Sequence, residues 1–330
     1  MSKPSGQTVL LAAVIVGSCL LVGYLLAFQH AGPSATRAGV PSQLTLEDIP
    51  FDGQRALGYL NDLCALGPRP SGSPAMQTQQ DMLTEHFRKL GGKVSLQKFR
   101  ARHPQTGAPV SMANMIVQWH PERRERILLC AHYDTRPFPD RDPRNPRGTF
   151  VGANDGASGT SLLMELAHQM ADLTGRLGVD FVLFDGEEFV FADGDPYFIG
   201  SEYFASDYLN EGHRHRYRFA VLMDLVGDAD LQIYPDRHSL SWNDTRPLVQ
   251  QIWSTARRLG VSEFALDRQY DILDDHIKLH DIARIPSCDI IDFNYPYWHT
   301  EGDVPARCSA LSLAKVGWVV QEWLKQAVRK

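Results

Sequence analysis

Two short apolar runs, residues 127–131 and 180–184, each stop at a cluster of polar side chains, and a helical stripe of Leu162, Leu163, Leu166, Met170 and Leu173 lies between them. Apolar runs of this length without polar alternation fit strands buried on both faces. A strand, a helix and a second strand in that order form a parallel unit, which commits the chain to an α/β sheet. Residues 219–225 and 287–291 supply further strand-like runs, and residues 247–259 and 311–324 supply amphipathic helices. Upstream, Ser73-Pro74 provides an N-cap and a first-turn proline, Met76, Leu83, Phe87 and Leu90 keep helical spacing, and Gly91-Gly92 closes the element. The expected fold is a single α/β domain with a mostly parallel central sheet covered by helices on both faces. Reactive residues in such sheets gather beyond the carboxyl ends of the strands. His132 and Asp134 follow one strand, Asp185, Glu187 and Glu188 another, and Asp224 ends a third, so residues distant in sequence become neighbours.

The N-terminus differs from the rest. Residues 9–28 run without a charge after Lys3, a length that can cross a bilayer. A cleaved signal peptide has a shorter apolar region and a small-residue cleavage site, which favours an uncleaved anchor over secretion after cleavage. The positive-inside tendency then puts residues 1–8 in the cytosol and the rest of the chain on the other side of the membrane. Residues 29–43, rich in Gly, Pro, Ser and Ala, read as a flexible stalk, leaving 44–330 as the folded domain, expected to be monomeric. The 33 basic and 39 acidic residues leave a net charge of −6 with no basic run, so nucleic acid is not an expected partner. Five cysteines lack CxxC spacing, which argues against a thiolate metal site and a dense disulfide framework, although one or two disulfides remain open.

Asp155, within Gly152-Ala153-Asn154-Asp155-Gly156, opens the helix after the first strand, where a carboxylate also suits an ordinary cap. Glu187 and Glu188 are adjacent carboxylates after a buried strand, where their repulsion is costly unless a cation or a shared proton relieves it. His299, flanked by aromatics, is by itself as good a core residue as a ligand. Together Asp155, Glu188 and His299 supply the oxygen and nitrogen donors that a catalytic zinc needs, without cysteine. Glu187 is then free to act as a general acid and base.

These residues stand in a pattern that resembles the zinc aminopeptidases of the bacterial leucyl aminopeptidase type and their relatives, the glutaminyl-peptide cyclotransferases. The resemblance covers roughly residues 58–328. It is carried by LGPRPSGSP from Leu66, AHYDT from Ala131, FVGANDGASG from Phe150, FDGEE from Phe184, Gly200-Ser201, MDLVG from Met223, Asp274-Asp275-His276 and Trp298-His299-Thr300. It implies that Asp155, Glu188 and His299 bind one zinc and that Glu187 is the catalytic acid/base. The aminopeptidases hold a second zinc with residues matching His132 and Asp224, bridged by the residue matching Asp155. The cyclases retain those positions but work with one zinc, so one ion is expected here and a second stays open.

Asp274, Trp298 and Leu66-Gly67-Pro68-Arg69 are cyclase-like, because the peptidases carry serine where this chain has Asp274. By resemblance, Asp274 and Asp224 form a proton relay with Glu187, and Trp298, Tyr295 and His276 belong to the substrate pocket. The implied reaction converts the N-terminal glutamine of a peptide or protein to pyroglutamate with release of ammonia. Zinc aminopeptidase activity is the alternative, and a non-catalytic binding ectodomain is a third reading that retention of every ligand disfavours. The sequence departs from the animal cyclases at Phe191-Ala192-Asp193, where they carry a tryptophan. It departs again at Tyr295-Pro296, in a loop one residue shorter, and at Ala131 and Thr160, which occupy the positions of their cysteine pair.

Overall fold

A computed structural model describes residues 41–210 and 215–329. The elements run α1 (Gly53–Ala65), α2 (Pro74–Lys89), β1 (Lys93–Arg102), β2 (Pro109–Trp119), β3 (Glu125–His132), α3 (Ala157–Leu166) and β4 (Gly178–Phe184). They continue with α4 (Ile199–Asn210), β5 (Arg216–Asp224), α5 (Arg237–Ser241), α6 (Arg246–Leu259), α7 (Asp275–Asp281), β6 (Ser287–Ile291) and α8 (Ala310–Ala327).

The six strands form one sheet in the order β1-β2-β4-β3-β5-β6. β4, β3, β5 and β6 run parallel to one another, as the buried apolar runs predict. The hairpin β1–β2 adds to the β4 edge in the antiparallel sense and was not foreseen from the sequence. Side chains alternate across the sheet. Ile127, Leu129 and Ala131 of β3 join the large core under α1, α2, α3, α6 and α8, whereas Leu128 and Cys130 face a smaller core under α4 and α7. Helices therefore cover both faces.

Local chemistry sets the boundaries. Ser73 Oγ accepts from the Met76 amide at 3.1 Å and Pro74 sits in the first turn, so α2 starts where the cap signal places it. All ten residues of α3 are buried against the sheet. That approach requires Gly159, where a Cβ would lie 2.2 Å from the Met223 carbonyl oxygen. Asp155 does not cap α3: Gly156 holds the N-cap position, at φ +88°, and makes no side-chain cap bond. The carboxylate of Asp155 is thereby left for other work.

Among the described residues no helix is long and apolar enough to cross a membrane. The proposed tail (1–8), anchor (9–28) and most of the stalk (29–43) lie outside the described residues. Cys64, Cys130, Cys288 and Cys308 are buried free thiols, so none of the disulfides left open by the sequence forms among them.

Candidate metal centre and active site

The parallel strands deliver their last residues to one edge of the sheet. β3 ends in His132, β5 ends in Asp224, and Glu187 and Glu188 follow β4. Hydrogen bonds fix the turn that carries the two glutamates: Asp134 accepts from the Glu187 and Glu188 amides at 3.2 and 3.1 Å. Asp185, just ahead of them, accepts from Ser71 Oγ at 2.6 Å and the Ala113 amide at 2.8 Å. The Asp155 loop is held by Asp303, whose carboxylate accepts from the Asn154 and Asp155 amides at 2.8 and 3.1 Å. His299 arrives on a loop in a left-handed conformation, φ +58°, which is uncommon for a residue with a Cβ.

Two buried triads result, and Asp155 belongs to both. On one side, His299 Nε2 lies 2.8 Å from Glu188 Oε1 and 3.7 Å from Asp155 Oδ2. On the other, His132 Nε2 lies 3.2 Å from both Asp155 Oδ1 and Asp224 Oδ1. Within each triad the potential ligand atoms fall inside 4.8 Å of one another. Asp155 Oδ2 and Glu188 Oε2 are buried without a hydrogen bond, and His299 Nε2 makes none of good geometry. Buried polar atoms left this way need a partner, and a cation supplies one. Carboxylate and imidazole donors without thiolate fit zinc, and a three-residue set leaves a coordination position for substrate.

The charges divide unevenly. Burial pushes the Glu188 carboxyl up, but His299 and Arg136 outweigh it and hold it at about 2. Burial and the nearby Glu188 push Asp155 up to about 7. Burial disfavours a charged His299, yet Glu188 and Asp140 raise it to about 9. Glu187 is pushed well above the carboxylate range by burial and by the charges of Glu188, Asp274 and Asp275, with His132 opposing them. Its Oε2 stands 3.7 Å from His132 Nδ1. A carboxyl whose proton affinity is raised in this way is suited to take a proton and return it.

Asp274 has a structural place as well as a position near Glu187. It caps α7, accepting from the Asp275 amide at 2.6 Å, and it is buried close enough to Glu187 to shift it. Burial, Asp224 and Asp275 push Asp274 itself well up. Trp298 is half-buried beside His299, its ring centroid 3.9 Å from the imidazole, with Phe293 at 4.8 Å and the Arg141 guanidinium over its face at 4.0 Å. That location suits a pocket wall.

Two residues assigned to the pocket are turned to other partners. Tyr295 is buried and donates its hydroxyl to Asp303 Oδ1 at 2.8 Å, so it buttresses the Asp155 loop. His276 has no exposed surface, lies 3.5 Å from Asp236 Oδ2 and faces Trp242. The structure also brings in residues that sequence reasoning did not assign. Asp134 and Asp303 organise the ligand loops, and Arg136 donates from Nη1 to Glu188 Oε1 at 2.9 Å. Asp134 lies two residues past His132 inside AHYDT, a signal that could have found it; Arg136 and Asp303 carry no such signal.

The arrangement agrees with what is similar to this chain. The model of peptidase family M28 matches residues 114–324. A glutaminyl cyclase from Fimbriiglobus ruber superposes with a TM-score of 0.80 at 39% identity, covering 89% of this chain and 100% of that one. A Zn-dependent exopeptidase from Parabacteroides distasonis superposes with a TM-score of 0.76 at 29% identity, covering 82% and 97%. In sequence, the glutaminyl-peptide cyclotransferase of Drosophila melanogaster is 25% identical over 260 residues, covering 72% of this chain and 70% of that protein. With the family model spanning well over half its length and two triads at the sheet edge, the chain belongs to peptidase family M28, beside the glutaminyl cyclases it resembles.

Proposed function

We propose that this protein is a zinc-dependent glutaminyl-peptide cyclotransferase acting on the N-termini of peptides or proteins. The observation that carries the reading is the buried Asp274 next to Glu187, an acidic neighbour where the peptidases have serine. Asp155, Glu188 and His299 would hold the zinc, which when bound supplies Lewis-acid polarisation of the glutamine side-chain carbonyl. Glu187 accepts a proton from the peptide's α-amine as the nitrogen bonds to the side-chain carbon. It then delivers that proton to the departing amide nitrogen, which leaves as ammonia. Asp274 and Asp224 keep the proton within the cluster. Trp298 packs against the bent glutamine, and holding that bend supplies much of the acceleration of an intramolecular closure.

A second reading has its own observation: the His132–Asp155–Asp224 triad could hold a second ion, as a two-zinc aminopeptidase requires. Purified protein given a Gln-peptide and a Leu-anilide separates the two. Pyroglutamate and ammonia from the first, with no cleavage of the second, is expected; the reverse pattern would overturn the proposal. The uncharged run at 9–28 is proposed as a membrane anchor that leaves the catalytic domain outside the cytosol. Recovery of the full chain in the soluble fraction would refute that.

A further inference from the structure

We propose that Asp140 is a positioning residue for the metal centre, fixing the imidazole of His299 from behind while Arg136 ties that carboxylate to Glu188. The inference rests on reading Asp155, Glu188 and His299 as a zinc site.

His299 has more need of such support than the other ligands. His132 ends a strand and Glu188 sits on a turn pinned by Asp134, whereas His299 lies in a loop with φ +58°. Its buried Nδ1 makes no hydrogen bond of good geometry among the described residues, and the polar atom facing it is Asp140 Oδ1, 3.3 Å away at ion-pair distance. A carboxylate there selects the tautomer with the proton on Nδ1, turns the Nε2 lone pair toward the metal and makes it a better donor.

A partly exposed aspartate alone would hold an imidazole weakly. Asp140 is not alone. The buried Arg136 grips it with Nε at 2.6 Å and Nη2 at 3.1 Å, and the same guanidinium reaches Glu188 Oε1 and the Tyr197 hydroxyl, the latter at 3.0 Å. One planar cation thus joins the carboxylate behind one ligand to a second ligand, a bidentate geometry that lysine could not reproduce. The next residues complete the strap. The Arg141 amide donates to the His299 carbonyl at 3.1 Å, and Asp142 Oδ2 accepts from the Glu301 amide at 3.0 Å.

The test measures metal directly. In the full chain, zinc affinity is read by competition with a chromophoric chelator, and ligand geometry by the visible bands of the cobalt(II)-substituted protein. Asp140→Ala is expected to weaken zinc about 10- to 100-fold and to move the cobalt bands, as loss of a ligand's orienting partner does elsewhere. Asp140→Asn keeps the volume but not the charge and is expected to lose less. Asp142→Ala cuts one bond of the strap without touching the His299 imidazole and is expected to lose less zinc affinity than Asp140→Asn. An unchanged affinity and spectrum in Asp140→Asn overturns the proposal even if Asp140→Ala fails to fold. So does a loss in Asp142→Ala equal to that in Asp140→Ala, because the loop and not the carboxylate would then carry the effect. Neither readout requires turnover, so the proposal fails or stands apart from the assignment of cyclisation.

Discussion

Asp155 divides the site into halves of opposite electrostatic character. On the His299 side, Arg136 lies against Glu188 and Asp140 behind His299, so each charge has a countercharge and Glu188 stays ionised at about 2. On the His132 side, Glu187, Asp224, Asp274 and Asp275 crowd together with His132 as the basic side chain among them. Burial, with its neighbours, pushes Glu187 and Asp274 well up, and Asp275 up to about 7. Crowded buried carboxyls are relieved either by a second cation or by retained protons. Under the proposed function, one half would hold the metal ion and the other would hold and pass a proton. Cyclisation needs that division of labour.

Removing a residue from each half should expose the difference. Glu188→Ala and His299→Ala are expected to lose zinc and all turnover. His132→Ala keeps the tight zinc, checked by metal analysis after dialysis. Glu187→Gln also keeps zinc while kcat drops by about 10²- to 10⁴-fold, the usual contribution of a general acid/base. If Glu187→Gln loses the metal instead, the two glutamates have exchanged roles and the comparison collapses.

A smaller effect sharpens the proton-handling half. The Asp274 charge helps push Glu187 up, so Asp274→Asn should lower the Glu187 pKa. Glu187 must be ionised to accept the amine proton, and turnover is lost as the pH falls through its pKa. The acid limb of kcat/KM in Asp274→Asn therefore moves to lower pH, with a reduced plateau. An acid limb that stays in place would detach Asp274 from the relay.

How far the sequence could show this differs by element. Among the candidate ligands, His132, Asp224 and Glu188 were legible because each ends or closely follows a buried apolar run, whereas Asp155 and His299 lie on loops and were legible only through the motifs around them. Adjacency to a ligand does not fix direction. Tyr295 stands four residues from His299 and His276 two from Asp274, yet one turns to Asp303 and the other to Asp236. Arg136 and Asp140 lie in a loop of Arg, Asp and Pro without periodicity, and only the folded chain brings them to Glu188 and His299. The β1–β2 hairpin escaped notice because edge strand β1, with most of its ten residues at least partly exposed, carries too few apolar positions to register as a strand.

The smallest effect concerns protons released when metal enters. Asp155 is pushed up to about 7 and His299 to about 9, both above their ordinary values. Zinc binds only the carboxylate and the neutral imidazole, so at pH 7 it must displace protons from both groups. Its apparent affinity should rise with pH from below 7 toward 9, and zinc uptake near pH 7.5 should release about one proton. Glu188, already ionised, contributes none. Calorimetry in buffers of different ionisation enthalpy reads the number directly. A release of zero would mean that the His299 half carries no stored protons and that its charges are balanced before the metal arrives.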